Sequence, residues 1–391
     1  MIRRITLRNI KCFKHVSLPL SQLTLLTGIN AAGKSTVLQS LTLLHQTATD
    51  NEASKSLLLN GSVISLGNAG DISDKLSGKK QLSIGIQGDD FECNWEMNYQ
   101  ERSSLSIPIT CFSWQSSDNV GKKRINEKTK INHLIPTSLH SYPWAKQVEK
   151  WFLELTYLSA ERWGPREIYP VTIVDSFINV GPHGENTPWV LRNFAEQIPQ
   201  KKLLIDGLSK RLDRQVEAWM NLFFPGTNIQ VTPIENTNLV TLGLRTNIAT
   251  SFHRPQNVGY GLTHVLPILT AGLHANEGQI IMIENPEAHL HPSGQAMMGR
   301  FLANCAASGI QMIIETHSDH ILNGIRIAVK EKLLGSDQVG IHFFMQPNQQ
   351  EEYDEVNIVS PVIDSMGNLD YWPEGFFDQF DKDNFALINW G

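Results

Sequence analysis

The stretch GINAAGKST, residues 28 to 36, constrains this chain more than any other. It follows an apolar run, QLTLLT, and precedes an amphipathic one, TVLQSLTLLHQTA. Strand, glycine-rich loop and helix in that order, with the spacing G-x-x-x-x-G-K-[ST], cradle nucleotide phosphates. Gly28 and Gly33 permit tight backbone turns, so consecutive N–H groups can face a β-phosphate. Asn30, Ala31, Ala32, Gly33, Lys34, Ser35 and Thr36 make up that cradle. Lys34 sets a point charge between the β- and γ-phosphates, and the Ser35 hydroxyl ligates Mg²⁺. The helix that follows aims its positive end at the same anion. ATP or GTP binding is the firmest expectation, and an α/β core comes with it.

The remaining chain sorts by period. ITLRNIKCF and HVSLPLSQLTLLTG read as strands, and residues 55–115 read as an antiparallel meander of short alternating runs. From 143 to 225 helical patterns dominate. One helix is expected across KKLLIDGLSKRLDRQVEAWMNLFF, with Leu204, Leu208, Leu212, Val216, Met220 and Phe223 on one stripe. Beyond 225, NIQVTPI, LVTLGL, QIIMIE, GIQMIIET and VGIHFFM alternate with helices, which suggests a parallel sheet. The expected organisation is an N-terminal core lobe (1–54), an antiparallel β subdomain (55–142), a helical insertion (143–225) and a C-terminal core lobe (226–391).

IIMIENPEAHLHP (280–292) has the form of the strand that carries a metal-binding acid in nucleotide hydrolases. Glu284 is the expected second contact to the Mg²⁺ shell. The next position usually holds a second carboxylate, the base that activates water. Here it is Asn285, an amide that orients water but takes no proton. Glu287 is the nearest carboxylate beyond it. HLHP (289–292) and THSDH (316–320) add four histidines, open to a metal-site reading, to strand capping, or to His317 sensing a γ-phosphate. Arg162 in SAER contacts either phosphate or a partner's acid, or else forms an internal ion pair. GENT (184–187) is a candidate helix start, capped by Asn186 or Thr187. Gln39 and GNAGD (67–71) match a metal-contacting loop too loosely for assignment.

At this point GINAAGKST, NVGYGLTHVLPIL (257–269), IIMIENPEAHLHPSGQ and IIETHSDHILNGIR resemble the P-loop, signature, acid strand with D-loop, and switch histidine of ABC-type ATPases. More narrowly, they resemble the RecF and OLD branch, which includes the chromosome-maintenance ATPases. YLSAERWGPREIY, VGPHGENTPWVL and GNLDYWPEGFFDQF are similar to a prokaryotic AAA-type family with a DUF3696 segment, used in anti-phage systems such as Septu. The resemblance runs from Ile5 to about Phe380, while 75–145 matches nothing nameable.

The resemblance implies an ABC-type P-loop NTPase core with an antiparallel β subdomain and a helical insertion. It also implies ATP with Mg²⁺, and two copies facing each other across the nucleotides. Each triphosphate would then meet Asn257, Gly259 and Gly261 of the other copy. Asn257 and Asn285 depart from the serine and carboxylate of the chromosome ATPases. Tight binding, dimer closure and slow hydrolysis are therefore expected, with Glu284, Asn285, Glu287 and His317 as the catalytic set. Losing one positioned base costs about 10²–10⁴ in rate.

Composition narrows the partners. The net charge of −6 opposes strong DNA binding by the whole surface. Local basic patches remain, at Arg3, Arg4, Arg8, Lys11 and Lys14, and in 121–130, read as a solvated loop. No apolar run nears the roughly 20 residues of a membrane span, and the first residues show no secretion signal. Four cysteines without paired spacing fit free thiols of a cytoplasmic protein. After His317 about 70 residues remain, too few for an appended nuclease, and DKD (381–383) reads as a solvated tail. Three functions stay open. One is a regulatory ATPase of anti-phage defence controlling a separate effector, with an HNH-type nuclease as the candidate. The others are a RecF-like ATPase on duplex DNA and a nucleotide-binding scaffold without turnover.

Overall fold

The computed structural model describes residues 1–75, 78–117, 119–172, 177–247, 249–345 and 357–388. The chain opens with a hairpin of β1 (Arg4–Ile10) and β2 (Phe13–Pro19). Along β1, Ile5 and Leu7 are buried while Arg4 and Arg8 face out, the two-residue alternation of a half-buried strand. Next, β3 (Leu23–Gly28) runs into the glycine loop and α1 (Lys34–Asp50) leaves it.

There follow β4 (Ser56–Leu58), α2 (Ala69–Ile72), β5 (Gln81–Gln87), β6 (Phe91–Asn98), β7 (Ser106–Ser116) and β8 (Val120–Arg124). Their sheet is antiparallel, in the order β2-β1-β5-β6-β7-β4, with β8 also on β7. A short pair, β9 (Ile131–Asn132) and β10 (Ile135–Pro136), leads to α3 (Pro143–Leu153). Trp95 of β6 meets Phe152 of α3 at 5.7 Å between rings, so α3 closes the apolar face of this sheet.

The second half contains β11 (Thr156–Leu158), β12 (Ile168–Pro170), α4 (Thr187–Asn193), α5 (Leu212–Phe223), β13 (Asn228–Pro233), β14 (Leu239–Arg245) and α6 (Tyr260–His274). Then come β15 (Ile280–Glu284), α7 (Pro292–Ala307), β16 (Gln311–Glu315), α8 (Asp319–Lys330), β17 (Val339–Phe344), β18 (Ile358–Val359) and α9 (Gln379–Ile388). A six-stranded sheet in the order β11-β15-β16-β3-β17-β18 holds the centre, parallel except for β18. Its strands are nearly all apolar because both faces are covered. Ile281, Ile283, Met312 and Ile314 join the core under α6, α7 and α8, whereas Ile280, Met282 and Ile313 join the one under α1 and α3. Among the described residues no helix is long and apolar enough to cross a membrane.

Several expectations change. The helix expected from about 200 begins only at Leu212, after a short 3₁₀ turn at Lys201–Leu203. Asp206-Gly207 is turn chemistry, Gly207 lies at φ 78, and Leu208 is exposed. Gln215 then fastens this loop by bonding Ile205 and Ser209. NIQVTPI and LVTLGL are not strands of the parallel sheet. They form an antiparallel hairpin with β12, turned at Asn236 with φ 58. Among the described residues, 143–225 hold α3, α4 and α5 but also β11 of the central sheet and β12. The basic segment at 121 starts inside β8, where Lys122 pairs with Glu96 at 2.7 Å. Finally, 381–383 lie within α9 rather than in a tail.

Candidate functional site

Strand ends build the site. The register sets Glu284 of β15 beside Glu315 of β16, and Glu315 beside Leu26 of β3, two residues before Gly28. Parallel α/β sheets take ligands in the crevice at this carboxyl edge.

The loop depends on two glycines. Gly28 has φ 126, and a Cβ there would lie 2.2 Å from the carbonyl oxygen of Phe344 on β17. Gly33 has φ 100, and its Cβ would come within 2.6 Å of Cys12 Sγ and of the Phe13 ring. Between them Asn30 and Ala31 are exposed and Ala32 is buried. The Thr36 N–H closes the first turn on Gly33 at 3.1 Å. Lys34 Nζ donates to the carbonyl oxygens of Gly28 at 3.0 Å and Ile29 at 2.6 Å. Burial holds this amine below its ordinary pKa, with Glu315 opposing. Its partners are neutral acceptors, and an anionic oxygen would bind it more strongly.

The carboxylates divide differently from the sequence expectation. Glu284 Oε1 accepts from the Tyr157 hydroxyl at 2.8 Å and Oε2 from the Ala160 N–H at 3.2 Å, so both oxygens are engaged towards β11. Burial first, then Glu284, pushes the Tyr157 phenol up, which keeps it a donor. One strand nearer the loop, Glu315 Oε1 accepts from Ser35 Oγ at 3.0 Å. Burial, followed by the charge of Glu284, pushes the Glu315 carboxyl up to about 7. Its Oε2 is buried without a partner among the described residues.

Asn285 sits in the left-handed region at φ 45, where Asn and Asp are the best tolerated side chains after glycine. Its N–H donates to the Glu315 carbonyl at 2.8 Å, while its own Oδ1 is buried and unpartnered among the described residues. Arg162 turns inward within this chain. It is buried, and its Nη atoms donate to the carbonyls of Ser159 (3.0 Å), Glu284 (2.7 Å) and Asn285 (2.6 Å). Burial lowers its pKa to about 10, with Glu287 and Glu284 opposing. Glu287 accepts from Thr316 Oγ1 and from the His317 N–H, both at 2.8 Å, and so ties the turn after β15 to the turn after β16. Burial, then Lys34, pushes the His317 imidazole down.

The other histidines go separate ways. His291 caps α7, accepting from the Ser293 N–H. The His289 ring lies 4.5 Å from His264 and 5.6 Å from Tyr260 of α6. Burial, then Arg162 and His289, lowers His264 to about 4. The signature glycines also differ. Gly259 is exposed, and a Cβ there would meet nothing closer than Leu262 Cδ1 at 3.9 Å; Asn257 is exposed as well. Gly261 is buried, and its Cβ would lie 2.9 Å from the His289 carbonyl oxygen and 3.1 Å from the Phe224 ring. Its small size serves packing inside this chain. Asn186 stands at the start of α4 but accepts from Thr172 instead of capping, and Gln39 accepts from Lys11.

Sequence reasoning missed Glu315 and Tyr157. The signal for Glu315 was present: IIMIE and QMIIE are two apolar strands of equal length, both ending in glutamate.

Residues 23–323 match the family described as "AAA domain, putative AbiEii toxin, Type IV TA system". The chain belongs to this AAA family. Residues 334–387 of the same AAA protein match DUF3696, a protein family of unknown function. No curated protein matches it. Among solved structures, the SMC head bound to the C-terminal winged-helix domain of ScpA has a TM-score of 0.50 at 12% identity, covering 93% of this chain and 98% of that one. An SMC head with an extended coiled coil, bound to the C-terminal domain of ScpA and derived from Pyrococcus furiosus, scores 0.49 at 10% identity over 99% of both chains. The SMC head domain from Thermotoga maritima scores 0.43 at 10% identity over 92% and 98%. The first of these shows the shared fold, an ABC-type P-loop NTPase core.

ATP and Mg²⁺ are what P-loop families of this kind use, and the residues present fit them. Lys34 and the loop N–H groups would hold the phosphates, and Ser35 would ligate the ion. The unpartnered Glu315 oxygen and the lysine resting on neutral carbonyls are the two features here that an anion–cation pair would satisfy.

Proposed function

We propose that this AAA protein is a slow ATPase that closes into a dimer around ATP and thereby controls a separate effector in prokaryotic anti-phage defence. The observation that carries slow turnover is Asn285, an amide held by its backbone at the place where a base is usual. Glu287 does not replace it simply, because both its oxygens already accept hydrogen bonds. Exposed Asn257 and Gly259 at the start of α6 support the closing surface, and α6 is long enough to present a helix N-terminus to a phosphate. An HNH-type nuclease is the candidate effector, by resemblance to Septu-type systems.

The test couples turnover to assembly. Phosphate release and sedimentation are followed with ATP and Mg²⁺ for wild type and Lys34→Ala. Turnover well below one per second, with ATP-dependent dimers that Lys34→Ala abolishes, is the expected result. Tens of turnovers per second, or no nucleotide effect on mass, would overturn it.

One feature favours a second reading, direct binding of duplex DNA. Arg8, Lys14 and His15 share a surface groove on the antiparallel sheet, though Glu92 and Glu96 share it too. ATP-dependent binding of plain duplex with a steep salt dependence would support that reading.

A further inference from the structure

We propose that Glu315, and not Glu284, is the carboxylate that joins Ser35 in holding a nucleotide-bound Mg²⁺. This rests on the nucleotide reading above and refines it.

Spacing is the first argument. Mg²⁺ takes octahedral oxygen ligands at 2.0–2.1 Å, so two ligands at right angles stand about 2.9 Å apart. Ser35 Oγ and Glu315 Oε1 are 3.0 Å apart. The ion can replace the hydroxyl proton as the link between these two oxygens without either side chain travelling far.

Availability is the second. Glu284 already holds the buried Tyr157 hydroxyl on one oxygen and the Ala160 N–H on the other. Glu315 gives up one hydroxyl contact, and that hydroxyl is itself a ligand. Its other oxygen is buried and has no partner among the described residues, a costly condition for a carboxylate unless something cationic completes it.

Topology is the third. β16 lies between β15 and the loop strand β3, so its terminal acid is the nearer one to the glycine loop. Among the described residues no group of three or more His, Cys, Asp or Glu side chains is arranged to hold a metal ion by itself. One carboxylate, one hydroxyl and the phosphate oxygens match the way Mg²⁺ is usually held with nucleotides. Glu284 then acts as a positioning residue, fixing Tyr157 and the SAER turn.

The experiment measures binding of a fluorescent ATP analogue in EDTA and in Mg²⁺, for wild type, Glu315→Gln, Glu284→Gln and Lys34→Ala. Thermal melts confirm folding first. In EDTA, wild type and both glutamine variants should bind alike and Lys34→Ala should not. Mg²⁺ should tighten binding in wild type and Glu284→Gln, whereas Glu315→Gln should lose about 10–100-fold in apparent Mg²⁺ affinity. If Glu315→Gln does not fold, Glu315→Asp, which draws the carboxylate back by one methylene, should show a weakened Mg²⁺ response. A full Mg²⁺ response in a folded Glu315→Gln or in Glu315→Asp, or its loss in Glu284→Gln alone, overturns the assignment. Failure of wild type to bind in both conditions overturns the nucleotide reading itself.

Discussion

The Arg162 guanidinium and the main-chain oxygen of Asn285 lie 2.6 Å apart inside the protein, with Glu287 and Glu284 close enough to act on its charge. The arginine therefore acts as a clamp on the backbone where β15 ends. Arg162→Ala removes three hydrogen bonds from a charged donor and leaves a void, so a loss of about 3–5 kcal/mol is expected. Arg162→Lys should recover less than half, because a point charge cannot span three carbonyls as the planar fork does. Urea unfolding checks both. An unchanged midpoint for Arg162→Ala would show the clamp to be idle.

Glu315 makes stability depend on pH in a defined direction. Its folded pKa, about 7, stands above the ordinary 4.5, so the folded protein favours the protonated acid. That contribution is complete below pH 4.5 and is lost as pH rises through 7. Glu315→Gln mimics the neutral form. Without nucleotide it should match wild type near pH 4.5 and exceed it by about 1–3 kcal/mol at pH 8. Glu284, Glu287 and Lys34 act on the same carboxyl, and the Ser35 hydroxyl donates to it. Equal melting temperatures at pH 8 would contradict the raised pKa.

Asn285→Asp offers a carboxylate in a backbone conformation that aspartate tolerates. If the missing base limits turnover, the variant should hydrolyse ATP faster, by about tenfold or more within the 10²–10⁴ range of such groups. Steady-state phosphate release reads this out. A rate equal to or below wild type would mean that another step governs the cycle.

Gly28→Ala meets two obstacles at once, a φ of 126 and a carbonyl oxygen 2.2 Å from the new methyl. The backbone strain alone costs on the order of 1–3 kcal/mol, and the clash adds to it. Loss of ATP binding together with a lowered melting temperature is expected. Gly259→Ala is the control, since its methyl would meet nothing closer than Leu262 Cδ1 at 3.9 Å and should leave stability unchanged.

Periodicity carried much of the fold because the central strands are buried on both faces and read as unbroken apolar runs. It failed at 200–211, where Asp206-Gly207 turns the chain although Leu204 and Leu208 keep helical spacing. It failed again at 228–245, since a strand's partners are not written in its own residues. The phosphate loop was legible because its spacing is local. Glu315 was not, because its importance comes from register: β16 inserts between β15 and β3, and only that neighbour relation brings its acid to Ser35. The packing role of Gly261 was hidden for a related reason. A glycine that spares room for another molecule and one that spares room for Phe224 look alike in one dimension.

The glycine loop leans on β17, and β17 belongs to the segment that matches the second family. Besides filling the space beside Gly28, the Phe344 carbonyl accepts the Ile29 N–H at 3.3 Å. Together with the parallel pairing of β17 on β3 from Val339↔Leu23 to Phe344↔Gly28, this contact makes the DUF3696 segment the wall of the glycine loop. Severing the chain ahead of β17 would strip the loop of its wall.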